Sequence, residues 1–309
     1  MVASRLVQMA ATLLAVSALV WLVMGLMPGD PADLAMMSDP ALTPADIERL
    51  RAAHGLDRPL LERYLAWLAA VARGEWGFSR LYAVPAERVL WPALRSTLVL
   101  LGASLALAAG FGTVLGVLAA ARPRWAPAVD AVAVLAQSVP GFWLGILLII
   151  LFAVTLGWLP AGGSAEAPGL VEALRFLLLP VATLAIVNLA AYARHGMAAM
   201  QAALREPYIR TARMKGLPER AVVWRHAFPN AAVPVLTVAA LDAGALVSGA
   251  LIAETIFARP GMGKLIHDAV MGNDYNLALL ALLLASAVTM LATLLADLGQ
   301  RLIDPRLRD

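Results

Sequence analysis

The chain contains no cysteine. That excludes a disulfide scaffold, a thiolate metal site and a cysteine nucleophile. Charge is scarce: Asp, Glu, Lys and Arg make up 15% of the 309 residues, against ~25% in soluble domains. The four histidines, His54, His195, His226 and His267, stand alone, so no pair has the spacing of zinc ligands. A phosphate cradle is missing too. Gly263-Lys264 is followed by Leu265, and the earlier glycine of the motif is absent. There is no Gly-x-Ser-x-Gly elbow. A net charge of +3 is too small to imply nucleic acid as a partner. What fills the chain is apolar side chains, 61% of it.

Those side chains fall in long runs. A spanning helix needs ~20 apolar residues, because the hydrocarbon is ~30 Å thick. Leu6 to Met27, Ser96 to Ala121, Ala131 to Leu159, Phe176 to Ala193 and Leu277 to Ala296 each qualify. Ala131–Leu159 contains Pro140-Gly141, and Phe176–Ala193 is expected to run on through Arg194. The first run lacks a cleavage site and reads as a retained anchor. Ala231 to Phe257 is long enough for a sixth span but carries Asp242 and Glu254. The sequence therefore predicts an all-α, polytopic membrane protein with six transmembrane helices. Residues 1–27 hold the N-terminus and first helix, 28–95 an outer segment, and 96–309 a five-helix core. Gly112-x-x-x-Gly116 and Gly141-x-x-x-Gly145 would let helix backbones approach closely.

Basic residues orient the spans. With the N-terminus inside, the inner stretches hold 13 Lys and Arg and the short outer loops hold 3. Both termini are therefore expected in the cytoplasm. The 28–95 segment exceeds the ~60-residue limit of the rule. Pro28-Gly29-Asp30-Pro31 should stop the first helix. Thr43 and Pro44 read as the N-cap and first residue of a helix ending near Gly55. Asp57-Arg58-Pro59 opens a second, with Leu61, Leu65, Leu68 and Ala72 at helical spacing. This is a helical element outside the membrane, either a structural cap or a surface that receives a delivered solute.

Residues 201–230 are the longest cytoplasmic connection, where an ordinary connector needs only ~2–8 residues. They predict two short helices with a sharp break. Gly216 can take the left-handed conformation that ends the first, and Lys215 suits its negative end. Pro218 fits the first turn of the second. Trp224 and Phe228 would face one way, with Arg220 and Arg225 solvated.

This loop resembles the coupling loop of ATP-binding-cassette importer permeases. Their pattern is Glu-Ala-Ala, three residues, Gly, nine residues, then Ile-x-Leu-Pro. Here the same spacing joins Arg210-Thr211-Ala212, Gly216 and His226-Ala227-Phe228-Pro229, with the first Glu, the first Ala, the Ile and the Leu replaced. The variant looks like the dipeptide/oligopeptide/nickel branch. So do Gly55-Leu56-Asp57-Arg58-Pro59-Leu60, Gly74-Glu75-Trp76-Gly77-Phe78-Ser79, Glu254-Thr255-Ile256-Phe257 before Pro260-Gly261-Met262-Gly263, and Asp304-Pro305-Arg306-Leu307-Arg308.

The resemblance implies a type I importer permease fold in a bacterial or archaeal inner membrane. It implies one half of a heterodimeric pore, completed by a second homologous permease. Two ATPase subunits, holding ATP and Mg, would dock on the loop, and an extracytoplasmic solute-binding protein would deliver a peptide or peptide-like solute. The matched coupling residues are Tyr208, Arg210, Thr211, Ala212, Arg213, Lys215, Gly216, His226, Pro229 and Asn230. This chain would hold no cofactor, metal or catalytic residue. The rivals are a secondary transporter or channel, which would need coupling-ion residues and often shows inverted repeats, and a membrane enzyme. Asp242 sits twelfth in its 27-residue span, where an acid costs roughly 2.5–3.5 kcal/mol. The resembled branch often has a glutamine there. With Glu254 it is a candidate for the translocation path, where it would favour a cationic group. The alternative is a structural hydrogen bond.

Overall fold

The computed structural model describes residues 2–25, 43–53, 58–165 and 169–303. The turn predicted at Pro28–Pro31, the helix end at Gly55 and the terminal Asp304–Arg308 run lie outside them. The chain divides into two compact units. One holds residues 1–91 and 265–287, and the other 92–264 and 288–309.

In the first unit, α1 covers Val2–Gly25, α2 Pro44–Ala53 and α3 Leu60–Ala72. Thr43 begins α2 as the sequence predicts. The Asp46 amide donates to Thr43 Oγ1 at 3.3 Å and the Thr43 amide donates back to Asp46 Oδ2 at 3.1 Å, a capping box. A feature without periodicity follows: β1, Phe78–Ser79, pairs antiparallel with β2, Val84–Pro85. Ala83, at φ 53°, turns the chain between them. Asp274 is buried beneath this hairpin. It accepts hydrogen bonds from Ser79 Oγ at 2.6 Å, from the Leu81 amide at 3.0 Å and from the Leu277 amide at 3.2 Å. The last of these caps α11, Tyr275–Ile303.

The second unit is built on long helices. α4 covers Glu87–Ala121, α5 Ala126–Ser138 and α6 Gly141–Leu148, which winds on as a π-helix over Ile149–Thr155. α7 is Leu170–Leu204, α8 Pro207–Met214, α9 Phe228–Ile256 and α10 Met262–Met271. Four described helices are long and apolar enough to cross a membrane alone: α1 over Ser4–Val23, α4, α7, and α11 over Tyr275–Gly299. The predicted span Ala131–Leu159, with Pro140-Gly141 inside it, is broken. It is a helix pair bent by 93° between Ser138 and Gly141, because Pro140 withholds an amide and disfavours helix in the residue before it. Counted as one, that pair is a fifth crossing. The predicted span at 231–257 falls on α9. α7 runs through Arg194 as expected, and its 35 residues reach ~52 Å, longer than the hydrocarbon is thick.

Glycine governs how α4 meets α7. A Cβ at Gly116 would lie 2.3 Å from the Ala193 carbonyl oxygen, and one at Gly112 would lie 2.6 Å from that of Leu189. Gly141 and Gly145 have only ordinary contacts, at 3.6 Å and 3.4 Å, so the second Gly-x-x-x-Gly is not a close approach. Gly116→Ala is expected to lower the thermal midpoint of the purified protein, since overpacking against backbone costs about 1–3 kcal/mol. Gly110→Ala, where nothing lies within 4 Å of the added carbon, should not lower that midpoint and should raise it slightly by helix propensity.

Candidate functional site

The 201–230 loop starts where α7 ends. Pro207 occupies the first turn of α8, where a missing amide costs nothing. The helix ends in a complete Schellman motif. The Gly216 amide donates to the Arg213 carbonyl at 2.9 Å and the Leu217 amide to that of Ala212 at 3.4 Å. Gly216 has φ +74°, the left-handed geometry expected of it. Across this break Arg213 holds Glu219 with two hydrogen bonds, at 2.6 Å and 3.2 Å. That contact keeps the Glu219 carboxyl below its usual range.

The second predicted short helix is corrected. Glu219–Ala221 forms one turn, Val222–Ala227 is π-helical, and the chain enters α9 at Phe228 without a break. The loop is therefore one free helix, one glycine turn and the extended start of α9. Its inner face is firmly seated. Ile209, Ala212, Val222, Val223 and Ala227 join Val117 of α4 and Met197 and Met200 of α7 in one buried cluster. Asn230 Nδ2 donates to the Tyr208 hydroxyl at 2.8 Å, tying α8 to α9.

The outer face is basic with an apolar tip. Arg210, Thr211, Arg213, Lys215, Gly216, Pro229 and Asn230 are exposed, His226 is half-buried and Ala212 is buried. Met214 is 81% exposed, and Leu217 and Tyr208 are exposed as well. Trp224 and Phe228 pack with ring centroids 5.3 Å apart, and Arg220 and Arg225 are exposed, as the spacing predicts.

The two acids of α9 have different surroundings. Asp242 accepts a hydrogen bond from the Tyr192 hydroxyl at 2.7 Å. It also lines a cavity of about 300 Å³ together with Phe142, Val187, Asn188, Ile252 and Phe257. Glu254, grouped with it from sequence as a path residue, is fully buried in this chain. Its carboxylate accepts from the Thr97 hydroxyl and from the amides of Gly263 at 2.8 Å and Lys264 at 3.2 Å. It caps the N-terminus of α10, and Gly261 is packed so closely that a Cβ there would lie 2.1 Å from the carboxylate. Within this chain Glu254 is buried and does not line that cavity. Tyr192 and Thr97, the partners of these acids, carry no signal in the sequence, because they stand 50 and 157 positions away. Among the described residues no group of three or more His, Asp and Glu could hold a metal ion.

Residues 112–309 match the family described as binding-protein-dependent transport system inner membrane component, and residues 1–83 match the N-terminal model of the same membrane component. The oligopeptide transport system permease protein AppB of Bacillus subtilis is 31% identical, over 96% of this chain and 95% of its own. The di/tripeptide transport system permease protein DppB of Pseudomonas aeruginosa is 35% identical over 99% and 98%. A chain of the MetNI methionine ABC transporter, solved in inward-facing conformations, superposes with a TM-score of 0.59 at 19% identity, covering 71% of this chain and 98% of its own. The chain belongs to the family of inner membrane components of binding-protein-dependent transport systems.

Proposed function

We propose that the chain is one half of the pore of an ATP-driven importer for peptides or a peptide-like solute. A second homologous permease completes the pore, and an extracytoplasmic binding protein delivers the solute. Two ATPase subunits, which hold the ATP and Mg, dock on the 201–230 loops. The observation that carries this reading is the loop itself: an inner face fixed in the helix core and an outer face that presents Met214, Leu217 and Tyr208 among basic residues. Such a shape takes up a push from a soluble partner and passes it to the helices. Relatives named for oligopeptide and di/tripeptide transport favour the peptide class.

Docking is tested by Met214→Asp. An apolar anchor at an interface is worth about 2 kcal/mol or more, so uptake should fall at least tenfold at unchanged levels of the chain in the membrane. Unimpaired uptake would remove the tip from the interface. Orientation is tested in the same cysteine-free background. A cysteine at Ala66 should react with an impermeant reagent in intact cells, and one at Ala202, exposed near the end of α7, only after permeabilisation. The reverse labelling would overturn the topology.

Asp242 is the path residue of this reading. It offers a carboxylate to a cavity otherwise lined mostly by apolar groups, suited to a cationic group such as a peptide amino terminus. Asp242→Asn keeps the hydrogen bond from Tyr192 and removes the charge. The expected result is a several-fold slower uptake of cationic than of neutral peptides. An equal loss for both would make the residue structural.

A further inference from the structure

The outer segment runs beside a spanning helix. α3 crosses the outer end of α1. A Cβ at Gly25 would lie 2.9 Å from Leu60 Cδ1. The Trp21 ring centroid is 5.9 Å from that of Tyr64 and 5.6 Å from that of Trp67. The Tyr64 hydroxyl and Ser17 Oγ are hydrogen-bonded at 2.7 Å. Val23 ends the apolar window of α1, and Ser17 lies ~9 Å inside it at 1.5 Å per residue. Trp67 Nε1 meanwhile donates to Asn276 at the first turn of α11, at 3.1 Å. These contacts put α3 level with the outer boundary of the hydrocarbon, the depth at which Trp and Tyr gather.

At that level α3 carries an apolar face that its own chain covers only in part, at Leu68. Leu61, Leu65, Leu68 and Ala72 fall on one stripe at 100° per residue. Leu61 is 66% exposed and Leu65 53%. Tyr64 and Trp67 form the flank turned to α1. Glu62, Ala66, Ala69 and Arg73 fall together on a third flank, and all four are exposed.

We propose that α3 is an interfacial helix, with its leucine stripe seated in the acyl chains of the outer leaflet and its Glu62/Arg73 flank in water. Two observations select lipid as the occupant. Within this chain only 6% of the apolar window of α1 is buried, and Leu61 and Leu65 stand exposed on the helix packed against it. The three-ring cluster of Trp21, Tyr64 and Trp67 is also the belt chemistry of a membrane boundary, and an amphipathic helix at that boundary sinks its apolar face ~5–10 Å into it. The inference rests on α1 being a span and on nothing about the substrate. The outer segment is thereby held in the plane of the membrane surface.

The test uses nitroxide labels on single cysteines at Leu61, Glu62, Leu65, Ala66 and Leu68, with Leu19 of α1 as the reference. The whole chain is purified with its co-expressed subunits and placed in phosphatidylethanolamine/phosphatidylglycerol vesicles. Collision rates with oxygen and with a water-soluble nickel chelate are then compared. Oxygen should exceed nickel several-fold at Leu61, Leu65 and Leu68, as at Leu19, and nickel should exceed oxygen at Glu62 and Ala66. Nickel above oxygen at Leu61 and Leu65 would make the stripe an aqueous face open to a soluble partner and overturn the proposal. Low rates of both would show it covered by another subunit and overturn it equally. Nickel access at Leu19 would instead refute the membrane reading of α1.

Discussion

Gly216→Val is expected to cut uptake roughly five- to 150-fold, the equivalent of the ~1–3 kcal/mol that a non-glycine residue costs in left-handed backbone. The amount of chain in the membrane should not change. The cause is conformational: a Cβ at Gly216 meets nothing within 4 Å, whereas φ +74° strains a β-branched residue most. Relief would come from leaving that geometry. The hydrogen bonds from Gly216 to Arg213 and from Leu217 to Ala212 would then break, and the Met214–Leu217 tip would turn away from where a partner meets it. Asparagine tolerates this geometry, so activity should rank Gly, Asn, Ala, Val. Glu219→Ala should be mild, because an exposed ion pair contributes only ~0–1 kcal/mol. Uptake and ATP hydrolysis by the assembled transporter are the readouts. A valine variant with normal uptake would take the turn out of the mechanism.

Glu254→Ala should produce the largest loss of stability. It strands the Thr97 hydroxyl and the Gly263 and Lys264 amides, all donors to one buried carboxylate. Each buried donor left unpaired costs ~1–3 kcal/mol, so a total of about 3 kcal/mol or more is expected. Glu254→Gln keeps one acceptor oxygen and should lose less. Thr97→Val should approach the glutamine variant, since Thr97 Oγ1 also accepts the Met262 amide at 2.8 Å. Thermal unfolding of the purified protein gives the order. A Glu254→Ala protein as stable as the parent would show that the carboxylate does not hold the start of α10.

Much of this architecture was legible because it follows from local chemistry. Apolar runs mark helices wherever they pack. Thr43, Pro44 and Asp46 cap α2 through bonds three residues apart, and Gly216 ends α8 through bonds within one turn. The rest depends on distant partners or on packing. Thr97 and Glu254 meet because α4 and α9 are neighbours, and no periodicity encodes that. Tyr192 reaches Asp242 for the same reason, between α7 and α9. Pro140 announces a break, but no periodicity states that its angle is 93°. The two-residue strands at 78–79 and 84–85 are too short for alternation to register. The sequence predicts a separate second short helix after Pro218, yet Val222–Ala227 is π-helical and the chain carries on into α9.

The bend between α5 and α6 also bears on the parity of the crossings. A chain that doubled back there would cross the membrane an odd number of times and leave its termini on opposite sides. The basic residues would then divide ten to six at best, against 13 to 3 when the pair passes through. A sixfold crossing is therefore the expected arrangement, with the right-angle turn lying inside the bilayer. Backbone groups freed at Val139 and Pro140 have no water to bind at that depth, so neighbouring helices must satisfy them. On that account the corner should tolerate insertions far less well than a surface loop of the same length.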